Sequence, residues 1–292
     1  MRIRSVFSLL SRCRGTAQLV AALTMLAVAH AAAWPATNAP VVVGIANFGP
    51  HPALSRTIAG FKQQLTHDGY VEGRNIRYVY SDANFTPSLI PQTLAQIVAQ
   101  HPAVILTATT PVAQAAVRNV RDPDVKLVFA QVTDPVKSGL VPNWQHGSSR
   151  ITGTSSAIDY DAVLSFATQL FPDAKRFGVL YDAGEVNDVI AVHDLDAAAG
   201  RHGLTMLVTT VDATTDVPQR ARTLQRMDFF YAIGSNVVQS ALPALASVTD
   251  RMRVPILSAE HELIRKGDII AAAYAPCGAR RAGRVPLLRE LK

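Results

Sequence analysis

Val41-Val42-Val43-Gly44-Ile45-Ala46, then Asn47-Phe48-Gly49-Pro50-His51-Pro52, then a helical stripe and a second strand up to Tyr80: this stretch decides the fold. The first six residues are a short, unbroken apolar run, the pattern of a strand buried on both faces of a parallel sheet. Leu54, Ile58, Phe61 and Leu65 then recur at i, i+4, i+7 and i+11, which places them on one face of a helix. Asp68-Gly69 stops that helix, Gly73-Arg74-Asn75 turns the chain, and Ile76 to Tyr80 alternates as a second strand. The unit is βαβ, and such units stack into parallel sheets flanked by helices. Ligands of open parallel sheets bind beyond the carboxyl ends of the strands, so the loop holding Asn47, Phe48 and His51 is a candidate site.

The same alternation continues outward. Thr86-Pro87 opens a helix with Leu89, Ile90, Leu94, Ile97 and Val98 inward, and Ala103 to Leu106 is the next strand. Thr109-Thr110-Pro111 caps a helix whose inner face is Val112, Ala116 and Val117. Lys126 to Ala130 and Ile151 to Thr154 complete a first lobe over 41–157. A second series follows over 158–270. Its strands run from Phe177 to Tyr181, Leu204 to Val211, Asp228 to Ile233 and Val254 to Leu257. Its helices carry Val163 to Phe171, then Val189, Val192 and Leu195, a capped start near Asp216, and a single stripe from Val238 to Val248. The fold class is α/β: two Rossmann-like lobes of parallel strands flanked by helices, with a ligand cleft between them.

Composition sharpens this. The chain has 292 residues, 49% of them hydrophobic, enough for a sizeable core and against disorder. Its formal charge of +6 points toward a polyanionic partner, but the cations sit at the two ends. Without Arg2, Arg4, Arg12 and Arg14 the balance is 24 basic to 22 acidic side chains. Without Arg280, Arg281, Arg284, Arg289, Lys292 and Glu290 as well it is 19 to 21. The near-neutral body excludes nucleic acid as a partner. Residues 1–33 read as a secretory signal peptide: an arginine-bearing start, an apolar stretch from Leu19 to Ala29, and small-residue cleavage sites near Ala31 or Ala33. The apolar stretch is short for a membrane span, an uncleaved anchor being the alternative. Residues 34–40 form a tether. Cleavage removes Cys13 and leaves only Cys277, so no internal disulfide is expected.

Several stretches, in order, carry a family resemblance. They are His51-Pro52-Ala53-Leu54, Asp68-Gly69-Tyr70-Val71-Glu72-Gly73-Arg74-Asn75, Thr110-Pro111-Val112-Ala113-Gln114, Val132-Thr133-Asp134-Pro135-Val136, Ser138-Gly139-Leu140-Val141, Ile151-Thr152-Gly153, Gly178-Val179-Leu180-Tyr181 and Gly184-Glu185 with Asn187. The sequence resembles the substrate-binding proteins of ABC transporters with the type I periplasmic-binding fold, in the branch related to tryptophan- and tyrosine-binding receptors. The resemblance spans about Val41 to Tyr274. The family's usual residues are replaced by Gly234-Ser235-Asn236 and by Ala259-Glu260-His261-Glu262. Beyond Tyr274, Ala275-Pro276-Cys277-Gly278 and the arginine-rich end depart from the family pattern. Residues 271–292 are therefore expected to be a return segment with an altered or truncated C-terminus.

The resemblance implies a periplasmic, monomeric receptor that captures a small ligand, an amino acid with aromatic ones among the candidates, and delivers it to an ABC permease. The alternatives weighed are a ligand-sensing receptor for a signalling partner and a small-molecule hydrolase. A zwitterionic ligand needs hydrogen-bond donors for its carboxylate, offered by Thr109, Thr110 and Gln114 or by Ser235 and Asn236 at helix starts. It needs a carboxylate for its ammonium, with Glu185, Glu260 and Asp134 as candidates. Asp134 also fits a local turn before Pro135. It needs an apolar wall, for which Phe48 and Tyr181 are candidates. Thr133 and Asn187 complete the expected set. His51 and His261 lack a third ligand, so no metal or other cofactor is expected. No Gly-x-Ser-x-Gly, His-Glu-x-x-His, Walker or Gly-x-Gly-x-x-Gly motif occurs, so no enzyme is expected.

Overall fold

The computed structural model describes residues 39–259, 269–271 and 281–282. The signal-peptide expectation, Glu260, His261 and Cys277 lie outside the described residues, as do most of the expected tether and most of the expected tail. The first βαβ unit forms as its pattern demands. Strand β1 (Val41–Asn47) is followed by helix α1 (Pro52–His67) and strand β2 (Ile76–Asp82). Leu54, Ile58 and Leu65 are buried, and Phe61 packs beside them.

Helix α2 (Ile90–Val98), β3 (Val104–Ala108), α3 (Thr110–Asn119), β4 (Lys126–Val132) and β5 (Ile151–Ser155) complete the first series. Then come α4 (Tyr160–Leu170), β6 (Arg176–Tyr181), α5 (Val186–Arg201), β7 (Thr205–Thr210), α6 (Val217–Thr223), β8 (Phe229–Ala232), α7 (Asn236–Ser240), α8 (Leu242–Met252) and β9 (Ile256–Ser258). Two short strands follow, β10 (Ile269–Ala271) and β11 (Arg281–Ala282). One sheet has the order β11-β5-β4-β3-β1-β2, the other β10-β9-β8-β6-β7. Among the described residues every pairing is parallel except β11 on β5, where Ala282 lies opposite Gly153. The chain therefore returns to the first sheet after β10. Both sheets belong to one unit that begins at Val41.

Each sheet buries apolar side chains on both faces, which explains the unbroken runs in the strands. On the first sheet Ile105, Phe129 and Leu127 pack with α2 and α3, while Ile45 and Leu106 pack with α1. On the second, Phe177 and Phe229 stack at 5.2 Å, with Phe171 beyond at 5.4 Å. Leu180 and Phe230 face the other way, onto α6 and α8.

Some local expectations need correcting. Thr86 makes no side-chain cap, because Pro87–Leu89 forms a 3-10 turn before α2. Asp216 makes none either, since the 3-10 turn Thr214–Asp216 precedes α6. The stripe from Val238 to Val248 is two helices, α7 and α8, broken at Ala241 just ahead of Pro243. Val117 is exposed rather than inward, and so is Val189. In α5 the buried face is Ala191, Leu195, Ala198 and Ala199. Alanine lets this helix lie close to its sheet, and small residues leave little hydrophobic signal in a sequence.

Candidate ligand site

One cavity lies where the carboxyl ends of both sheets face each other. From the first lobe it is lined by His51, Ala53, Leu54, Phe85, Thr109, Thr110, Gln131 and Thr133. Ser156 and Ile158 come from the crossing segment. Tyr160, Asn187, Ala191, Gly234, Ser235, Asn236 and Gln239 come from the second lobe. Its free volume of about 70 Å³ is several times the roughly 10–15 Å³ that one water needs, so the space admits a small ligand.

On the first-lobe wall, α3 presents its N-terminus, where Pro111 has no N–H and the first-turn amides of Thr110 and Val112 lack helical partners. Thr109, at the N-cap, sits at φ 91°, ψ 159°, a conformation that side chains rarely take. Its buried hydroxyl has no partner among the described residues. Gln131 has φ 55° at the bulge where the β4–β5 register shifts, and its amide donates to the Thr57 hydroxyl at 2.9 Å. Phe85 has φ 58° and meets Phe48 edge-on at 6.0 Å. Three left-handed, non-glycine residues on one cavity mark it as the place where the fold accepts strain. His51 caps α1, its Nδ1 accepting from the Ala53 N–H at 3.3 Å. Burial, helped by the Arg56 charge, lowers its pKa and keeps the ring neutral near pH 7.

The second-lobe wall is organised by buried acids. Glu185 Oε2 accepts from Asn236 at 2.6 Å and Asn187 at 3.1 Å. Asn187 Nδ2 also donates to Asp188 Oδ1 at 2.7 Å, and Asp188 Oδ2 accepts from the Asp182 N–H at 2.8 Å. Burial pushes Glu185 up, against the hydrogen bonds from Asn236 and Asn187. Burial and the Glu185 charge push Asp188 up to about 8. With its amide nitrogen committed, Asn187 turns its oxygen elsewhere, and that buried oxygen has no partner among the described residues. Gln239 likewise donates Nε2 to the Ile233 carbonyl at 3.0 Å and leaves Oε1 unpaired. Glu185 Oε1 is a third unpaired acceptor behind them.

Of the residues singled out in the sequence, His51, Thr109, Thr110, Thr133, Asn187, Ser235 and Asn236 line this cavity. Others do not. Asn47 is buried and ties the first loop together, its Nδ2 donating to the Gly49 carbonyl at 2.7 Å and to Asp82 at 2.9 Å. Phe48 is wholly buried beneath Phe85, so the aromatic wall is Phe85 and not Phe48. Gln114 donates to the Ser138 carbonyl at 3.0 Å. Asp134 Oδ1 accepts from the Val136 and Lys137 N–H groups at 2.9 Å each, the turn that Pro135 favours. Tyr181 packs on the second core. Glu185 stands one layer back, aiming two asparagines. Phe85, Gln131, Tyr160 and Gln239 line the cavity but were not singled out. Gln239 was within reach of a sequence argument, one helical turn after Ser235-Asn236; Gln131 was not, because a bulge leaves no residue signature.

Among the described residues no group of three His, Cys, Asp or Glu side chains could hold a metal. No described helix is long and apolar enough to cross a membrane.

The two parallel sheets, with a cavity at their facing carboxyl ends, define a two-lobed receptor of the type I periplasmic-binding class. Residues 42–277 match the family of ABC transporter substrate binding proteins, and the chain belongs to it. Its members bind small molecules outside the cytoplasm for a membrane permease and are not enzymes. A tyrosine-binding protein of Clostridioides difficile is 28% identical over 81% of this chain and 67% of its own length. A conserved domain protein from Vibrio cholerae superposes with TM-score 0.76 at 28% identity, covering 79% of this chain and 78% of the other. The ABC domain from Streptococcus pneumonia in complex with L-Trp does so at TM-score 0.75 and 22% identity, covering 80% and 78%.

Proposed function

We propose that the protein is the exported receptor of an ABC importer, taking one free amino acid into the cavity between lobes 41–157 and 158–270 by hinge closure. The observation that carries this reading is the division of the cavity's unmet bonds. The second-lobe side leaves two acceptors on lining residues, Asn187 Oδ1 and Gln239 Oε1, with the unpaired Glu185 Oε1 one layer behind, and an ammonium brings the donors they lack. The first-lobe side offers the α3 N-terminus and the Thr109 hydroxyl, which suit a carboxylate. Phe85 supplies an aromatic surface for the side chain.

The tyrosine-binding relative supports an aromatic amino acid as the ligand. A Lys137–Asp194 ion pair between the lobes, at 2.8 and 2.6 Å to the two carboxylate oxygens, supports a closed arrangement. The signal peptide 1–33, the tether 34–40, the return segment 271–292 and a monomeric state belong to the same reading. Calorimetric titration of the purified protein with L-tyrosine, L-tryptophan and L-phenylalanine tests it. Saturable one-to-one binding of at least one is expected, and binding of none overturns the reading.

A further inference from the structure

Glu185 and Asp188 are exposed by only 5% and 1%, and a single amide, Asn187 Nδ2, bridges them. Two carboxylates this close in a buried site do not both ionise easily. The groups around them add no positive charge. Asp182, on the loop after β6, is itself acidic. Tyr160, at the start of α4, is buried, and its hydroxyl is held protonated by burial and by the charges of Asp194 and Asp188. Ser235 donates to Asp188, and Asn236 donates to Glu185. Across the cavity the titratable group is His51, held neutral by burial and Arg56. A cation can reach the pair from the cavity, which Asn187 lines with an unpaired oxygen and behind which the Glu185 Oε1 is also unpaired.

We propose that Glu185 and Asp188 share one proton in the empty receptor and release it to solvent when a ligand ammonium enters the cavity. The inference rests on the amino-acid reading above and extends it to a charge selector: a neutral analogue cannot displace the proton. The ammonium keeps its own three protons; only the acid pair loses one, to water. In the empty site the Asp188 carboxyl is protonated below about pH 8, and a neighbouring cation lowers that value. Binding below pH 8 therefore releases a proton, and affinity rises with pH, by up to tenfold per unit, until the ligand's own ammonium begins to titrate.

The ligand-free protein carries the opposite sign. A carboxyl whose folded pKa is raised gives stability that is full below its unfolded value of about 3.9 and lost as pH climbs through about 8. The unfolding equilibrium constant of wild type should then grow by up to tenfold per pH unit between pH 5 and 8, relative to D188N, which mimics the protonated acid.

The test is calorimetric titration with L-tyrosine at pH 6.5 in phosphate and in imidazole, buffers of different ionisation enthalpy, for wild type and D188N. Release of close to one proton by wild type and none by D188N is expected. Binding by wild type without proton release, or equal release by D188N, overturns the proposal. If no amino acid binds, the ligand reading fails and the coupling falls with it. A stability slope confined to wild type would then show that the acid pair was read correctly and the ligand was not. Should D188N not fold, carboxyl carbon NMR titration of the wild-type protein replaces it: a carboxyl titrating near pH 8 is expected, and all carboxyls titrating below pH 5 overturns the proposal.

Discussion

Thr109 combines two costs at one position. Its φ of 91° with ψ of 159° is glycine territory, and its hydroxyl is buried without a partner among the described residues. Strain of this kind is worth about 1–3 kcal/mol, and an unpaired buried hydroxyl adds to it. Neither cost serves packing, and both are repaid if a ligand oxygen sits at the start of α3. Thr109→Gly removes the strain and the hydroxyl together. Allowing about 0.5–1 kcal/mol for the extra freedom of unfolded glycine, it should stabilise the empty protein by about 1 kcal/mol in urea denaturation while weakening amino-acid binding severalfold. Thr109→Ser keeps both features and should leave both measurements near wild type. In the sequence, Thr109-Thr110-Pro111 read as a helix start with donors for a carboxylate; the left-handed backbone is imposed by the β3–α3 junction and has no residue signature.

At the scale of elements, the parallel sheets were legible because burial on both faces writes continuous apolar runs into the strands. The helices were legible where large side chains mark the stripe, as in α1. They were not where alanine does that work, as in α5, or where two helices share one stripe, as in α7 and α8. The pairing of β4 with β5 shows how tightly one element is specified. A Cβ placed on Gly153 would meet the Phe129 carbonyl oxygen at 2.0 Å and the Phe129 ring at 2.5 Å. The obstacle is a neighbouring strand's backbone, which cannot step aside as a flexible side chain can. Gly153→Ala should therefore cost about 1–3 kcal/mol in unfolding free energy. A cost below 0.5 kcal/mol would mean that β5 is not held at this register.

For the whole molecule, the contact to examine is Lys137 with Asp194. Lys137 stands on the Asp134 turn of the first lobe and Asp194 on α5 of the second. Their side chains are 48% and 36% exposed, so the pair is worth about 0.2–1 kcal/mol. Neither residue lines the cavity, so any effect on the ligand passes through the balance between open and closed lobes. Lys137→Ala should raise the amino-acid Kd by up to about fivefold. That difference should shrink with added salt, as screening removes it from the wild type too. An unchanged Kd at low ionic strength would mean that the pair does not hold the closed state.

The cavity itself was half legible at this scale. Residues at strand ends and helix starts were found because the parallel sheet dictates where ligands go. The acid pair's inner position and the Phe85 wall needed the tertiary structure, since both depend on how a loop folds over its neighbours.

The central claim is that the cavity reads both ends of a zwitterion, and titration with L-tyrosine beside its two truncated analogues tests it most directly. Tyramine lacks the carboxylate, and 3-(4-hydroxyphenyl)propionate lacks the ammonium. Each leaves buried groups unpaired, at about 1–3 kcal/mol per group. L-Tyrosine should bind at least tenfold more tightly than either analogue. Binding of the deaminated acid as tight as that of L-tyrosine would contradict the assignment of Asn187 and Gln239, backed by Glu185, to an ammonium, and with it the reading of this receptor as one for amino acids.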